Sequence, residues 1–173
     1  MRILIVYSTT DGHTLEICER LRLVLQRDGN DVQLMSVADD PAADPGEFDR
    51  IVVGASIRYG KHSPLLIDFV NRNAAVLNSR PNAFFSVSVS ARKARNRRPE
   101  TNAYLRKFLR QVSWRPGKIG IFAGKIDYQR YTFFDRMMIR FIMLLTGGPT
   151  ARDAVVDFTD WDEVEAFGRR IGA

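Results

Sequence analysis

Arg2-Ile3-Leu4-Ile5-Val6-Tyr7-Ser8-Thr9-Thr10-Asp11-Gly12-His13-Thr14 runs from an unbroken apolar stretch through a hydroxyl-rich turn into a helical pattern. An apolar stretch without alternation reads as a strand covered on both faces, the mark of the inside of a parallel sheet. The turn then lies at the carboxyl edge of that sheet. Backbone N–H groups at the start of the next helix are unpaired there, and the helix dipole adds partial positive charge, so the position favours an anion. Ser8, Thr9, Thr10 and Thr14 bring hydroxyls to it, and Gly12 lets the backbone approach a ligand closely.

No Gly-Lys-Ser/Thr follows the turn, as a nucleoside triphosphate loop needs, and the three-glycine spacing of a dinucleotide loop is also missing. A small phosphomonoester remains. Thr9, Thr10, Asp11, Gly12, His13 and Thr14 resemble the Thr-x-Thr-Gly-x-Thr phosphate loop of the flavodoxin family, which implies FMN as cofactor. Asp11 stands where that family usually has threonine. A carboxylate there repels a phosphate unless it turns away to cap the helix. Taken alone, the loop reads equally well as a turn that merely caps a helix.

A second turn at the same edge discriminates better. Residues 48–55 form another buried strand that runs into Ser56-Ile57-Arg58-Tyr59-Gly60. Gly-x-x-x-Arg-Tyr-Gly after such a strand resembles the loop beside the flavin ring in flavodoxin-like quinone reductases. The resemblance implies Tyr59 against the isoalloxazine, close approach at Gly60, and Arg58 near the reduced ring or an acidic substrate. Residues 84–89 read as a central strand, and Ser88-Val89-Ser90 as a third loop whose hydroxyls reach the polar rim of the ring.

Further out, the pattern predicts helices over 12–27, 62–77 with Pro64 in the first turn, 100–112 and 161–171, the last capped by Asp160. Strands are expected over 31–37, 118–123 and 154–159. Residues 39–47, with two prolines and four acids, read as an exposed connection. This alternation gives an α/β, doubly wound, five-stranded parallel sheet with helices on both faces, in a single domain of residues 1–173. A ligand then belongs at the carboxyl ends of the strands, where strand order reverses.

At 173 residues and 45% apolar, the chain has length for one substantial core. Its one cysteine, Cys18, excludes an internal disulfide and shares a helix face with Ile17, Leu21, Val24 and Leu25, so it reads as an inert buried thiol. A reducing cytoplasm fits, and no leader is expected, because Met1 and Arg2 open directly into a strand. Residues 80–140 hold 15 Lys or Arg against 3 Asp or Glu, while the remainder holds 11 against 17. That asymmetry suggests an anionic partner: nucleic acid, a membrane surface or an acidic small molecule. No recognition-helix or aromatic-platform pattern supports nucleic acid. The two histidines, His13 and His62, read as loop residues, and neither a metal-ligand cluster nor a catalytic triad is apparent.

Residues 125–149 depart from a short flavodoxin. Phe134, Met137, Met138, Phe141, Ile142 and Leu145 follow helical spacing, with Arg136 and Arg140 on the other face. Spanning a bilayer takes about twenty apolar residues, more than this stretch has. It reads as an interfacial helix with its cations at headgroups, or as a helix covering the sheet or a dimer partner. It also offers an apolar wall to a quinone tail or a tetrapyrrole.

Taken together, the phosphate loop with its aspartate, the Ser-Ile-Arg-Tyr-Gly loop, Ala91-Arg92-Lys93, Trp114-Arg115-Pro116, the inserted segment and Thr159-Asp160-Trp161 resemble the quinone-dependent protoporphyrinogen IX dehydrogenases of bacterial haem synthesis. In that family Asp11 belongs to the pattern. The resemblance implies flavin-centred chemistry with no side-chain nucleophile. FMN would accept electrons from protoporphyrinogen IX and pass them to menaquinone or ubiquinone. It also implies a peripheral position on the cytoplasmic side of the inner membrane, with Arg58, Arg92 and Lys93 holding the substrate propionates. A flavodoxin-type carrier or NAD(P)H:quinone reductase would share the loops, though neither requires the insertion.

Overall fold

The computed structural model describes residues 1–40 and 44–173. Its main sheet consists of β1 (Arg2–Ser8), β2 (Asp31–Ser36), β3 (Arg50–Ser56), β4 (Asn82–Ser88) and β5 (Ile119–Ala123). All neighbours are parallel, in the order β2-β1-β3-β4-β5. β1 is flanked on both sides, with Val6 registered against Met35 and Val53.

Pleating explains the unbroken apolar run of β1. Leu4 and Val6 enter one core with Ile51, Val53 and Phe84, whereas Ile3, Ile5 and Tyr7 enter a second on the opposite face. The first core is roofed by α2 (Pro64–Arg72), α3 (Ala74–Ser79) and α4 (Ala103–Gln111), and the second by α1 (His13–Arg27) and α6 (Trp161–Gly172). Phe84 stacks on Phe108 with ring centres 4.4 Å apart, while Phe85, Phe122 and Phe167 cluster on the other side. Gly54 is where the two strands need space: a Cβ there would lie 2.2 Å from the Phe85 ring.

Several boundaries differ from the pattern in the sequence. The helix expected over 62–77 is two helices, because Asn73 leaves helical geometry and its Nδ2 donates to the Phe69 carbonyl at 2.9 Å. The helix expected from residue 100 starts at Ala103, where Asn102 accepts the Leu105 N–H. Within the connection expected to be exposed, Pro45 to Glu47 form a single 3-10 turn capped by Asp44, and residues 41–43 lie outside the described residues. Cys18 is fully buried, and burial pushes its thiol pKa well up, consistent with an inert role.

The inserted segment is a unit beside the sheet. Residues 125–149 hold β6 (Lys125–Asp127) and α5 (Phe133–Thr146), and the unit extends past the expected bounds to β7 (Val155–Asp157), which pairs antiparallel with β6. The strand expected over 154–159 is therefore shorter and pairs with β6, outside the main sheet. Ile126, Tyr128, Tyr131 and Met143 form its own small core.

Candidate functional site

Three loops at the carboxyl edge and one face of α5 enclose a cavity of about 260 Å³. Residues 56–60 and 88–90 line it, as do Thr9, Thr10, Asp11, His13, Thr14 and Arg92. Lys93 and Gly12 are not among its lining residues. Of the six apolar residues singled out on the inserted helix, Ile142 lines the cavity; Phe134, Met137, Met138, Phe141 and Leu145 lie on the exposed surface.

The first loop is built to meet an anion. Gly12 takes φ 86° to open α1, its N–H donates to Thr9 Oγ1 at 3.0 Å, and no side chain caps the helix. The first-turn N–H groups thus have no side-chain acceptor. Ser8 Oγ and Thr14 Oγ1 are buried without any hydrogen-bond partner. A buried hydroxyl left unpaired costs about 1–3 kcal/mol, and Thr14, which lines the cavity, is poised for an acceptor from outside the chain. Asp11 does not cap the helix. It pairs with Arg58, which moderates its repulsion of an anion, although burial still raises its carboxyl pKa above the ordinary range. His13 begins α1 instead of lying in the loop, with Nδ1 2.8 Å from Glu16 and Nε2 2.6 Å from the Thr159 hydroxyl.

The second loop is a two-residue hairpin turn. Arg58 and Lys61 exchange backbone hydrogen bonds at 3.0 and 3.1 Å, and Tyr59 and Gly60 both take positive φ, 49° and 72°. That is a type I′ turn, in which a tyrosine costs about 1 kcal/mol or more of backbone strain. The turn leaves the Tyr59 ring about half exposed and sends its hydroxyl to donate to Asp135, in the first turn of α5. That hydrogen bond raises the tyrosine pKa and lowers the aspartate pKa. The Arg58 guanidinium lies over Tyr131, 5.3 Å from the ring centre.

At the third loop, Ser88 Oγ and Ser90 Oγ are 3.0 Å apart, and residues 89–92 form a 3-10 turn. Arg92 donates to the Val89 carbonyl and to both the carbonyl and hydroxyl of Thr146, tying the end of α5 to this loop. Its guanidinium is thus partly committed within the chain.

On α5 the two arginines turn inward, Ile139, Ile142 and Met143 line the cavity, and the remaining apolar residues face out. Arg136 Nε donates to the Tyr128 carbonyl at 3.0 Å and Arg140 Nε to the Thr150 carbonyl at 2.8 Å. The expectation that these two arginines point to headgroups is therefore corrected: their guanidiniums are held by backbone carbonyls. Phe133, Phe134, Leu144 and Leu145 are each at least 67% exposed. Among the described residues, no helix is long and apolar enough to cross a membrane.

Sequence reasoning missed Lys125, Tyr131, Ile139, Met143 and Thr146 in the lining. Tyr131 and Lys125 sit in a loop and a three-residue strand, too short for any periodicity. Ile139 and Met143 fall outside the stripe that helical spacing marks on this segment, so periodicity does not single them out.

The fold and its edge site define a flavodoxin-domain protein: a model of that family, the flavodoxin domain, matches residues 4–153. Oxidised Flavodoxin 1 from Bacillus cereus superposes with a TM-score of 0.59 at 13% identity, covering 99% of this chain and 97% of that one. A flavodoxin from the domain Archaea gives 0.55 at 18%, covering 99% and 96%. Protoporphyrinogen IX dehydrogenase (quinone) of Escherichia coli strain K12 is 42% identical over 171 residues, 99% of this chain and 94% of that protein. The Leishmania major protein of the same name is 39% identical over 99% of this chain and 75% of its own length. The chain belongs to the quinone-dependent protoporphyrinogen IX dehydrogenase family.

Proposed function

We propose that the chain is an FMN-dependent oxidoreductase that oxidises protoporphyrinogen IX to protoporphyrin IX and passes the electrons to a membrane quinone, menaquinone or ubiquinone. The observation that carries this reading is the meeting, in one cavity, of an uncapped helix start with the buried, unpartnered hydroxyl of Thr14 and an apolar wall from the inserted helix. A phosphate needs the first and a flat ring or macrocycle needs the second. Identity of 42% over nearly the whole chain to an enzyme named for this reaction supports the same reading.

The residues fit the cofactor. Thr9, Thr10 and Thr14, with the N–H groups that open α1, would hold the phosphate. Ser88 and Ser90 would hydrogen-bond the polar rim of the ring, and the half-exposed Tyr59 offers it an aromatic face. When bound, the isoalloxazine supplies the two-electron redox chemistry that no side chain here provides. Arg58, Arg92 and Lys93 would receive the substrate propionates, with Arg58 released from Asp11 as a carboxylate arrives. Ile139, Ile142 and Met143 keep water from that side of the cavity.

The localisation that goes with this reading is peripheral, on the cytoplasmic side of the inner membrane; the outward apolar face of α5, set in the basic part of the chain, supports attachment to a membrane surface. The test is an anaerobic absorbance titration of the FMN-loaded protein. Protoporphyrinogen IX should bleach the flavin, and a short-chain menaquinone should restore its colour. A flavin that ignores the porphyrinogen but is bleached by NAD(P)H would identify a reductase instead.

A further inference from the structure

The inserted segment sends two cations back over the phosphate loop. Arg130, in the loop after β6, donates through Nη1 to the Asp11 carbonyl at 3.0 Å. A methyl group added at Gly12 would lie 3.5 Å from that same nitrogen. Lys125, in β6, lines the main cavity, as do Thr14 and His13 of the first loop and helix start. Their acidic neighbours are loosely held: Arg130 Nε is 3.6 Å from Asp127, and Lys125 Nζ is 3.7 Å from Glu16. Both distances exceed a hydrogen bond, so neither carboxylate fixes its cation: Lys125 can turn toward a stronger acceptor, and Arg130 keeps nitrogens beyond the one that donates to the Asp11 carbonyl.

A phosphomonoester dianion in this cradle meets Asp11 on its own loop and Glu16 in the first turn of the helix. The helix start contributes only about half a positive charge, and Arg58 is occupied by Asp11. Cations from outside the loop are needed to balance the dianion: Lys125 lines the cavity, and Arg130, outside that lining, lies against the loop backbone at Asp11. We propose that Lys125 and Arg130 are the charge partners of the FMN phosphate, so that loading the flavin also braces the segment that presents α5. This inference rests on the flavin reading above.

Riboflavin, which has the ring without the phosphate, separates the two. Binding of FMN and of riboflavin is measured by flavin fluorescence for the full chain and for Lys125→Ala, Arg130→Ala and the double variant. The double variant is expected to lose about tenfold or more in FMN affinity, the scale of one charge-assisted hydrogen bond. Its riboflavin affinity should stay within about twofold, which also reports an intact fold. FMN should slow amide exchange over residues 125–150 more than riboflavin does. Unchanged FMN affinity in the double variant would overturn the inference, as would an equal loss for both flavins. If the unaltered chain bound neither flavin, the functional reading itself would fall, and this inference with it.

Discussion

His62 is a titratable side chain sealed among aromatic rings. Its Nε2 is 3.0 Å from Ser86 Oγ, and the rings of Phe108 and Phe84 lie 5.0 and 5.8 Å away. Burial, with the charge of Lys107 adding to it, pushes the imidazole pKa down from 6.5 to about 4. Unfolded chains therefore take up a proton between those two values that the folded chain refuses. Stability from this group is complete above pH 6.5 and is lost as pH falls toward 4, by about 3 kcal/mol at most. Melting temperature should drop between pH 7 and pH 4.5, and His62→Gln should flatten that limb; an unchanged slope would show that other groups govern it. At this scale the sequence was partly legible. The loop letters disclosed the anion cradle because backbone donors and hydroxyls act locally. The partner of Asp11 was not legible, since Arg58 reaches it from another strand's loop 47 residues away.

Among the elements, strands and helices of the main sheet could be read because burial on two faces leaves a continuous apolar run and burial on one leaves a helical stripe. The break at Asn73 and the pairing of β6 with β7 could not, since one depends on a single side-chain competitor and the other on residues about thirty positions apart. α5 was legible as an amphipathic helix but not in its orientation, because spacing fixes which residues share a face and not which face turns inward. Its exposed side chains contribute little to holding the fold, so changing them should spare it. Replacing Phe134, Phe141 and Leu145 together with Ser should leave FMN affinity intact. The same change should cut binding to lipid vesicles by about a hundredfold, as expected from losing about 3 kcal/mol of apolar burial. Vesicle binding that survived the triple change would place the contact elsewhere.

For the molecule as a whole, the excess of cations over residues 80–140 was visible from composition, and α5 begins within that stretch. Each Lys or Arg near an anionic leaflet contributes about 1 kcal/mol, screened over about 8 Å at physiological salt. Sedimentation with vesicles should therefore rise steeply when phosphatidylglycerol is added to phosphatidylcholine, and fall again in 0.5 M salt. Equal binding to both lipids at all salt concentrations would mean that α5 acts alone.

The β6–β7 pairing has a consequence for how such a chain is assembled. Lys125 is registered against Asp157, Ile126 against Val156 and Asp127 against Val155, so the insertion leaves the body of the protein and returns to it at neighbouring points. Removed between those strands, it would leave two ends that a tight turn of a few residues can join, at little entropic cost. The five-stranded sheet takes no hydrogen bond from it. The segment is thus a detachable cassette: a five-stranded scaffold carries an apolar wall and an exposed apolar surface on one closed loop, without any change of register in its core.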